Sequence, residues 1–271
     1  MVNQVDAQPT ITVMMPCCNN SAFIRAAMQS VLTQQIDCAI ELLIVDDASS
    51  DDSVEKIQSV NDPRVQLVRN SVNRGIASVR NQLLEAARGE YVTSLDGDDL
   101  YVSPTKLASE YDIIQQFPKH SPVVVYSNVE LLDGSGQRIG LASESLPPHE
   151  GLIFQGLFDR RIMIPRDFLL SSWLARRVGG FDESLAIYED WDYKLRLSRK
   201  ASFHYTGQLG IGYRRHRRGL SSARGRVHRQ HIAKIRRKYG IEGFAGDPMN
   251  LMRHSSRMTR LSQILKRHRA A

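Results

Sequence analysis

The sequence predicts an α/β fold, a Rossmann-like mixed sheet flanked by helices and followed by a basic helical extension, and three observations carry that prediction. Four short apolar runs, ITVMMP, ELLIVDD, VQLVRN and EYVTSLD, alternate with longer amphipathic stretches such as SAFIRAAMQSVLTQ and IASVRNQLLEAARG. Such alternation means βαβ units around a mostly parallel sheet covered on both faces. From Val123 to Gly140 the pattern changes to strand, turn and strand, with Asp133-Gly134 as the turn, so the topology becomes mixed. Charge also divides the chain. From Tyr213 to Ala271, 17 Lys and Arg face two acids, Glu242 and Asp247; this +15 tail leaves −8 on the first 212 residues of a chain with net charge +7.

The element boundaries follow from local chemistry. Asn20 or Ser21 is placed to cap a helix starting near Ala22, and Gly89 follows a helix ending at Ala87 or Arg88. Pro104 suits the first turn of a helix running toward Phe117. From Leu141 to about Arg161 the pattern is irregular, with Pro147-Pro148, and reads as a loop over a site. DFLLSSWLARRVGG reads as a short helix ended by glycine. EDWDYKLRLSRK begins another helix, with acids in the first turn, where the helix dipole favours them. The tail beyond Tyr213 is expected to hold two basic helices; the second is capped by Asp247, opens on Pro248 and carries an apolar stripe from Leu251 to Leu265.

Length and composition bound the function. A chain of 271 residues with 42% hydrophobic and 24% charged residues can bury a large core, which excludes a mostly disordered protein. MVNQVDAQPT lacks the basic start and apolar core of a secretion signal, and no segment reaches the length of a spanning helix, so a cytosolic protein is expected. Cys17, Cys18 and Cys38 lack metal-ligand spacing and read as reduced thiols. No G-x-G-x-x-G follows the first strand and no Walker sequence occurs, which removes the usual support for dinucleotide-dependent or P-loop chemistry.

Two apolar runs end in acids: ELLIVDD at Asp46 and Asp47, and EYVTSLDGDD at Asp96, Asp98 and Asp99. Open α/β sheets bind ligands beyond the carboxyl ends of their parallel strands. Either cluster alone reads as solvated turn residues. On successive sheet edges, the mutually repelling acids call for a cation or hydrogen-bond donors, and a hard metal ion shared with substrate phosphates meets that need.

The set ITVMMPCCNN, ELLIVDDASSDDS, NRGIASVRNQLLEAARGEYVTSLDGDD, GGFDESLAIYEDWDYKLRL and YRRHRRGLSS resembles, in order and spacing, the motifs of inverting family 2 glycosyltransferases with the GT-A fold. The resemblance runs from about Ile11 to Ser222. It implies a GT-A domain over 1–222, its donor half about 10–100 and its acceptor half about 101–222, with 223–271 as the basic helical extension. It further implies transfer of a sugar from a nucleotide-sugar donor, with uridine diphosphate as the usual leaving group and Mn²⁺ or Mg²⁺ as cofactor. The acceptor would be a glycan or lipid-linked hydroxyl.

By that resemblance Pro16 and Cys17 lie against the nucleobase, and Asp47 accepts a hydrogen bond from it, while Asp46 is structural. Arg80 helps hold the nucleotide. Asp96, Gly97 and Asp98 match the DxD element: Asp96 faces the ribose or sugar, Gly97 allows close backbone approach, and Asp98 binds the metal, with Asp99 behind. His216 completes the metal shell, and Arg214, Arg215 or Arg218 neutralises the diphosphate. Asp190 matches the catalytic base, beside Glu189; without the resemblance both read, with Asp192, as first-turn acids. Cys17-Cys18 stand where the family often has Thr-Tyr.

The tail has two readings, an arginine-rich face for an anionic membrane surface on the inner side of the membrane, or a stripe packed on the catalytic body. Nucleic acid ranks below both, because the tail lacks aromatic platforms. A non-catalytic nucleotide-sugar or polyanion-binding module is the alternative function.

Overall fold

Strand β1 (Ile11–Cys17) is buried along its whole length, as a run without polar alternation must be when helices cover both faces of a sheet. It lies parallel to β2 (Ile40–Asp46) on one side and β4 (Tyr91–Ser94) on the other, and β2 lies parallel to the partly exposed β3 (Val65–Arg69). The computed structural model describes residues 8–142, 149–216 and 225–239, which fall in two compact units, 1–222 and 223–271.

Pairing of Cys17 with Asp46 and of Met14 with Ser94 brings the carboxyl ends of β1, β2 and β4 to one edge. Helix α1 (Ile24–Leu32) covers one face with Ile24, Ala27, Met28 and Val31, whose spacing is one helical stripe; all four lie fully out of solvent at 0% exposure. Helices α2 (Ser53–Gln58) and α3 (Ile76–Ala86) complete the first half. At the opposite edge, Gly89 is required by close approach: a Cβ there would lie 2.5 Å from the Thr12 amide nitrogen.

Beyond β4 the sheet is mixed, as expected. After β5 (Leu100–Tyr101) and α4 (Lys106–Ile114), the hairpin β6 (Val123–Leu132) and β7 (Arg138–Leu141) turns at Asp133, whose Oδ1 accepts from the Ser135 and Gln137 amides. Strand β8 (Leu169–Ser171) runs antiparallel to both β4 and β6. Strand β9 (Ser202–Arg214) is parallel to β6 and antiparallel to β5, giving the order β3-β2-β1-β4-β8-β6-β9-β5 with β7 on β6.

Several boundaries differ from the sequence reading. Helix α1 begins at Ile24 rather than near Ala22; the Asn20 side chain accepts from the Cys18 amide, and its carbonyl, not its side chain, receives the Phe23 and Ile24 amides. The start of DFLLSSWLARRVGG is not helical: Leu169–Ser171 fills the sheet between β4 and β6. Helix α6 (Ser172–Arg177) then starts with Ser171 Oγ accepting from the Leu174 amide. The irregular stretch after Leu141 contains helix α5 (Phe154–Phe158). Helix α7 (Glu189–Ser198) forms as expected, and β9 carries the chain through Tyr213 and Arg214 as strand. In the second unit α8 (Gly225–Lys238) is helical and basic, while the helix expected after Asp247 lies outside the described residues. Among the described residues no helix is long and apolar enough to cross a membrane.

Candidate active site

Main-chain bonds tie the end of β1 to the segments that follow β2 and β4: the Cys17 carbonyl accepts from the Asp47 amide at 2.8 Å, and the Pro16 carbonyl from the Gly97 amide at 3.3 Å. Pro16 and Cys17 are both buried, and burial together with nearby Asp46 pushes the Cys17 thiol up to about 12. All three cysteines are free. Asp46 is buried with Oδ2 accepting from the Ser49 amide, a structural placement. Asp47 holds the loop that leads into α3: Oδ1 accepts from Asn70 Nδ2 and the Arg74 amide, and Oδ2 from the Gly75 amide, each at 2.9 Å. Gly75 has φ 83°, a left-handed value that suits glycine.

The DxD element follows β4 directly. Asp96 Oδ1 accepts from Arg80 at 2.9 Å, and its Oδ2 from Arg166 at 2.8 Å. Asp98 Oδ2 lies 2.8 Å from His216 Nε2, and the Asp98 carbonyl accepts from Arg214 Nε at 2.9 Å. Asp99 is buried, accepting from Arg166 at 2.5 Å and from the Arg214 amide at 2.8 Å. Burial raises its pKa well above the carboxylate range, against the pull of Arg166 and with help from Asp98 and Asp96. Gly97 packs closely on α1, since a Cβ there would lie 3.1 Å from Asn20 Oδ1 and Ile24 Cδ1.

The Asp96, Asp98 and Asp99 carboxylates offer oxygens within 4.8 Å of one another. Arginines already engage Asp96 and Asp99, so among the described residues the acid of the three with no arginine on its carboxylate is Asp98, with the His216 imidazole beside it. A carboxylate oxygen and an imidazole nitrogen at this separation suit a divalent ion such as Mn²⁺.

Helix α7 brings the second set of acids. Its first residue follows Tyr188, held at φ 66° in the left-handed region, an uncommon conformation for a bulky side chain. Glu189 is 5% exposed and 3.3 Å from Arg80 Nε; burial pushes it up to about 7, with Arg80 opposing. Asp190 Oδ2 accepts from Lys194 Nζ at 2.9 Å. Burial works to raise Asp190, but Lys194, with Arg166 and Arg80 behind it, outweighs that and holds it well below the usual carboxylate range. Asp192 points elsewhere, as helical spacing requires: it is buried against Arg196, which also donates to the Val178 and Gly180 carbonyls.

Arg80 joins the two sets. Its side chain is 4% exposed, paired at once with Asp96 and Glu189, and burial is outweighed by those acids so that the guanidinium is held above its ordinary pKa. Arg80, Arg166 and Asp190 line one cavity with Phe168, Phe181 and Tyr193. Arg215 approaches from the side: its guanidinium lies over the Tyr213 ring at 4.4 Å, and Arg166 lies over the same ring at 4.9 Å. Arg214 turns its guanidinium to the Phe23 ring, and Arg218 lies outside the described residues. The sequence reading missed Arg166 and Lys194. Arg166 stands alone in IPRDF without a motif, whereas Lys194 is one helical turn after Asp190, a spacing that could have marked it.

Comparisons with known proteins bear on this arrangement. The family model described as Glycosyl transferase family 2 matches residues 12–177, more than half of the chain and ending before Asp190 and His216. The chain is 31% identical over 195 residues to the putative colanic acid biosynthesis glycosyl transferase WcaA of Escherichia coli K12, covering 70% of this chain and 66% of that protein. It is 32% identical over 125 residues to an Escherichia coli UDP-Glc:alpha-D-GlcNAc-diphosphoundecaprenol beta-1,3-glucosyltransferase, WfgD, covering 46% and 47%. The chain thus spans half to two-thirds of the length of these relatives. Among solved structures, that of S. aureus TarS 1-349 in complex with UDP-GlcNAc superposes with a TM-score of 0.65 at 18% identity, covering 83% of this chain and 66% of that one, which shows the GT-A fold. With the family model matching more than half of the chain and the strand-end acids inside the matched segment, the chain belongs to glycosyl transferase family 2.

Proposed function

We propose that the protein is a metal-dependent, inverting glycosyltransferase that moves a sugar from a UDP-sugar to an acceptor hydroxyl in glycan or envelope polysaccharide synthesis. One observation carries the reading: Arg80 binds the DxD acid Asp96 and the α7 acid Glu189 together and, with Arg166, lines the cavity that Asp190 also lines. UDP is supported by WfgD, named for UDP-Glc, and by TarS, solved with UDP-GlcNAc; a lipid-linked acceptor is supported by the diphosphoundecaprenol in WfgD's name.

In this reading Pro16, Cys17 and Asp47 border the nucleobase, Arg80, Asp96 and Gly97 place the ribose and sugar, and Arg215 faces the diphosphate. Asp98 and His216 would hold Mn²⁺ or Mg²⁺, whose Lewis acidity stabilises the leaving diphosphate by several kcal/mol. Asp190, kept ionised by Lys194, takes the proton of the acceptor hydroxyl as its oxygen attacks the anomeric carbon. Attack from the face opposite the diphosphate inverts that carbon, so one base suffices. The +15 tail would hold the enzyme at an anionic lipid surface near such an acceptor.

The test is a panel of nucleotide sugars scored for thermal stabilisation with and without Mn²⁺, followed by NMR of the product of the best donor. Stabilisation by a UDP-sugar only with the metal, and an inverted anomeric centre, are expected. Equal stabilisation without metal, or a retained anomer, rejects the reading.

A further inference from the structure

Lys194 is a buried cation beside Asp190, one of the residues that line the cavity. It lies one helical turn after Asp190 on α7 and is only 8% exposed. Its ammonium donates to Asp190 Oδ2 at 2.9 Å and to the Ile164 carbonyl at 3.0 Å, two residues before Arg166. These bonds tie the helix that carries Asp190 to the segment that carries the arginine of the DxD acids. They also use one oxygen of Asp190 and leave the other: among the described residues none donates a hydrogen bond to Oδ1, and the Asp190 side chain keeps 26% exposure. A buried ammonium costs free energy unless its partners hold it, so both contacts are needed where they stand.

The charged groups that bear on Asp190 are few. Lys194 comes from its own helix, Arg80 from α3 and Arg166 from the segment before β8, and Glu189 is the like-charged neighbour.

We propose that Lys194 is a positioning residue of the transfer step: it clamps Oδ2 of Asp190, so that Oδ1 is the oxygen that receives the acceptor proton. This rests on Asp190 acting as base. In the step the acceptor O–H bond breaks and its proton joins Oδ1. The acceptor oxygen bonds to the anomeric carbon, and the bond from that carbon to the diphosphate oxygen breaks, its electron pair leaving on the diphosphate. Lys194 keeps its own proton and touches no substrate.

The test titrates the full chain carrying ¹³C-carboxyl aspartate, with the Asp190 signal identified by its loss in D190N. In K194M the Asp190 midpoint should rise by more than about one pH unit, since the strongest opposite charge is gone; K194R should keep the wild-type midpoint. If K194M does not fold, K194Q removes the charge while retaining a donor, and the same rise is expected. Turnover of UDP-glucose and UDP-GlcNAc should follow, with kcat falling about tenfold or more in K194M, its acidic limb moving up in pH, UDP affinity unchanged and K194R restoring both. An unmoved midpoint overturns the proposal, as does an unmoved limb in an active K194M. The titration needs no donor, so it decides the Lys194 contact even where D190N keeps full turnover, a result that would sink the function reading instead.

Discussion

Arg166 and Asp167 are neighbours in sequence and their side chains pair at 4.0 Å, yet together they reach two different charge clusters. Arg166 turns to Asp96 and Asp99 at the site, while the Asp167 carbonyl accepts from Lys106 Nζ at 2.8 Å on the other side. Lys106 also pairs with Glu110 at 2.9 Å, donates to Thr93 Oγ1 and lies over the Tyr101 ring, and Glu110 accepts from Ser127. Both Lys106 and Glu110 side chains have 0% exposure. The sealed cluster is balanced, one cation to one acid. The open cluster is not: Asp96, Asp98, Asp99, Asp167, Glu189 and Asp190 face Arg80, Arg166, Lys194 and Arg214. Balance with burial makes a structural strut, whereas surplus acid beside a cavity leaves room for a cation and its diphosphate.

Variants on each side should separate these roles. D190N should cut sugar transfer by about 10²- to 10⁴-fold while UDP affinity stays at the wild-type value; steady-state kinetics beside calorimetry reads both, and undiminished transfer breaks the contrast. K106M should act oppositely, costing about 3–5 kcal/mol of stability because Glu110 is left buried without its cation. The double variant K106M/E110L should recover most of that loss in urea unfolding, and UDP binding by the folded fraction should not change.

The sealed pair also sets a pH signature. Burial, opposed by Lys106, raises Glu110 from 4.5 to about 7. The folded protein therefore holds this proton where the unfolded chain releases it, and Glu110's contribution to stability falls as pH rises from 4.5 to about 7. At about 1.4 kcal/mol per unit the loss is up to about 3 kcal/mol. Wild type should lose this much relative to E110Q across that window, and parallel stability curves would show that Glu110 ionises normally. The smallest effect belongs to the cation: D98A should weaken Mn²⁺-supported UDP binding by about tenfold, roughly 1.4 kcal/mol, in isothermal titration. Unchanged metal dependence would move the ion away from Asp98 and His216.

The contrast also marks what could be read in advance. The strands β1, β2 and β4 and the acids at their ends were legible because apolar period and turn composition act within a few residues. Leu169–Ser171 was misread as helix because three residues carry no period, and only the gap between β4 and β6 makes them a strand. The Asn20 cap failed because the Cys18 amide competes for its side chain. Arg166 could not be foreseen: its partner Asp99 is 67 residues away, and nothing in IPRDF separates it from a surface arginine.

By itself the sequence determined the alternation of strand and helix, the acidic body with its basic tail, and the DxD and Glu-Asp pairs. Only the tertiary structure decided which charges those acids meet: Arg80 between Asp96 and Glu189, Lys194 on Asp190, Lys106 sealed away with Glu110. Local propensity is settled by near neighbours along the chain. Desolvation and ion pairing are settled by whatever the fold brings within a few ångströms, and for these groups that is mostly a residue from a distant element.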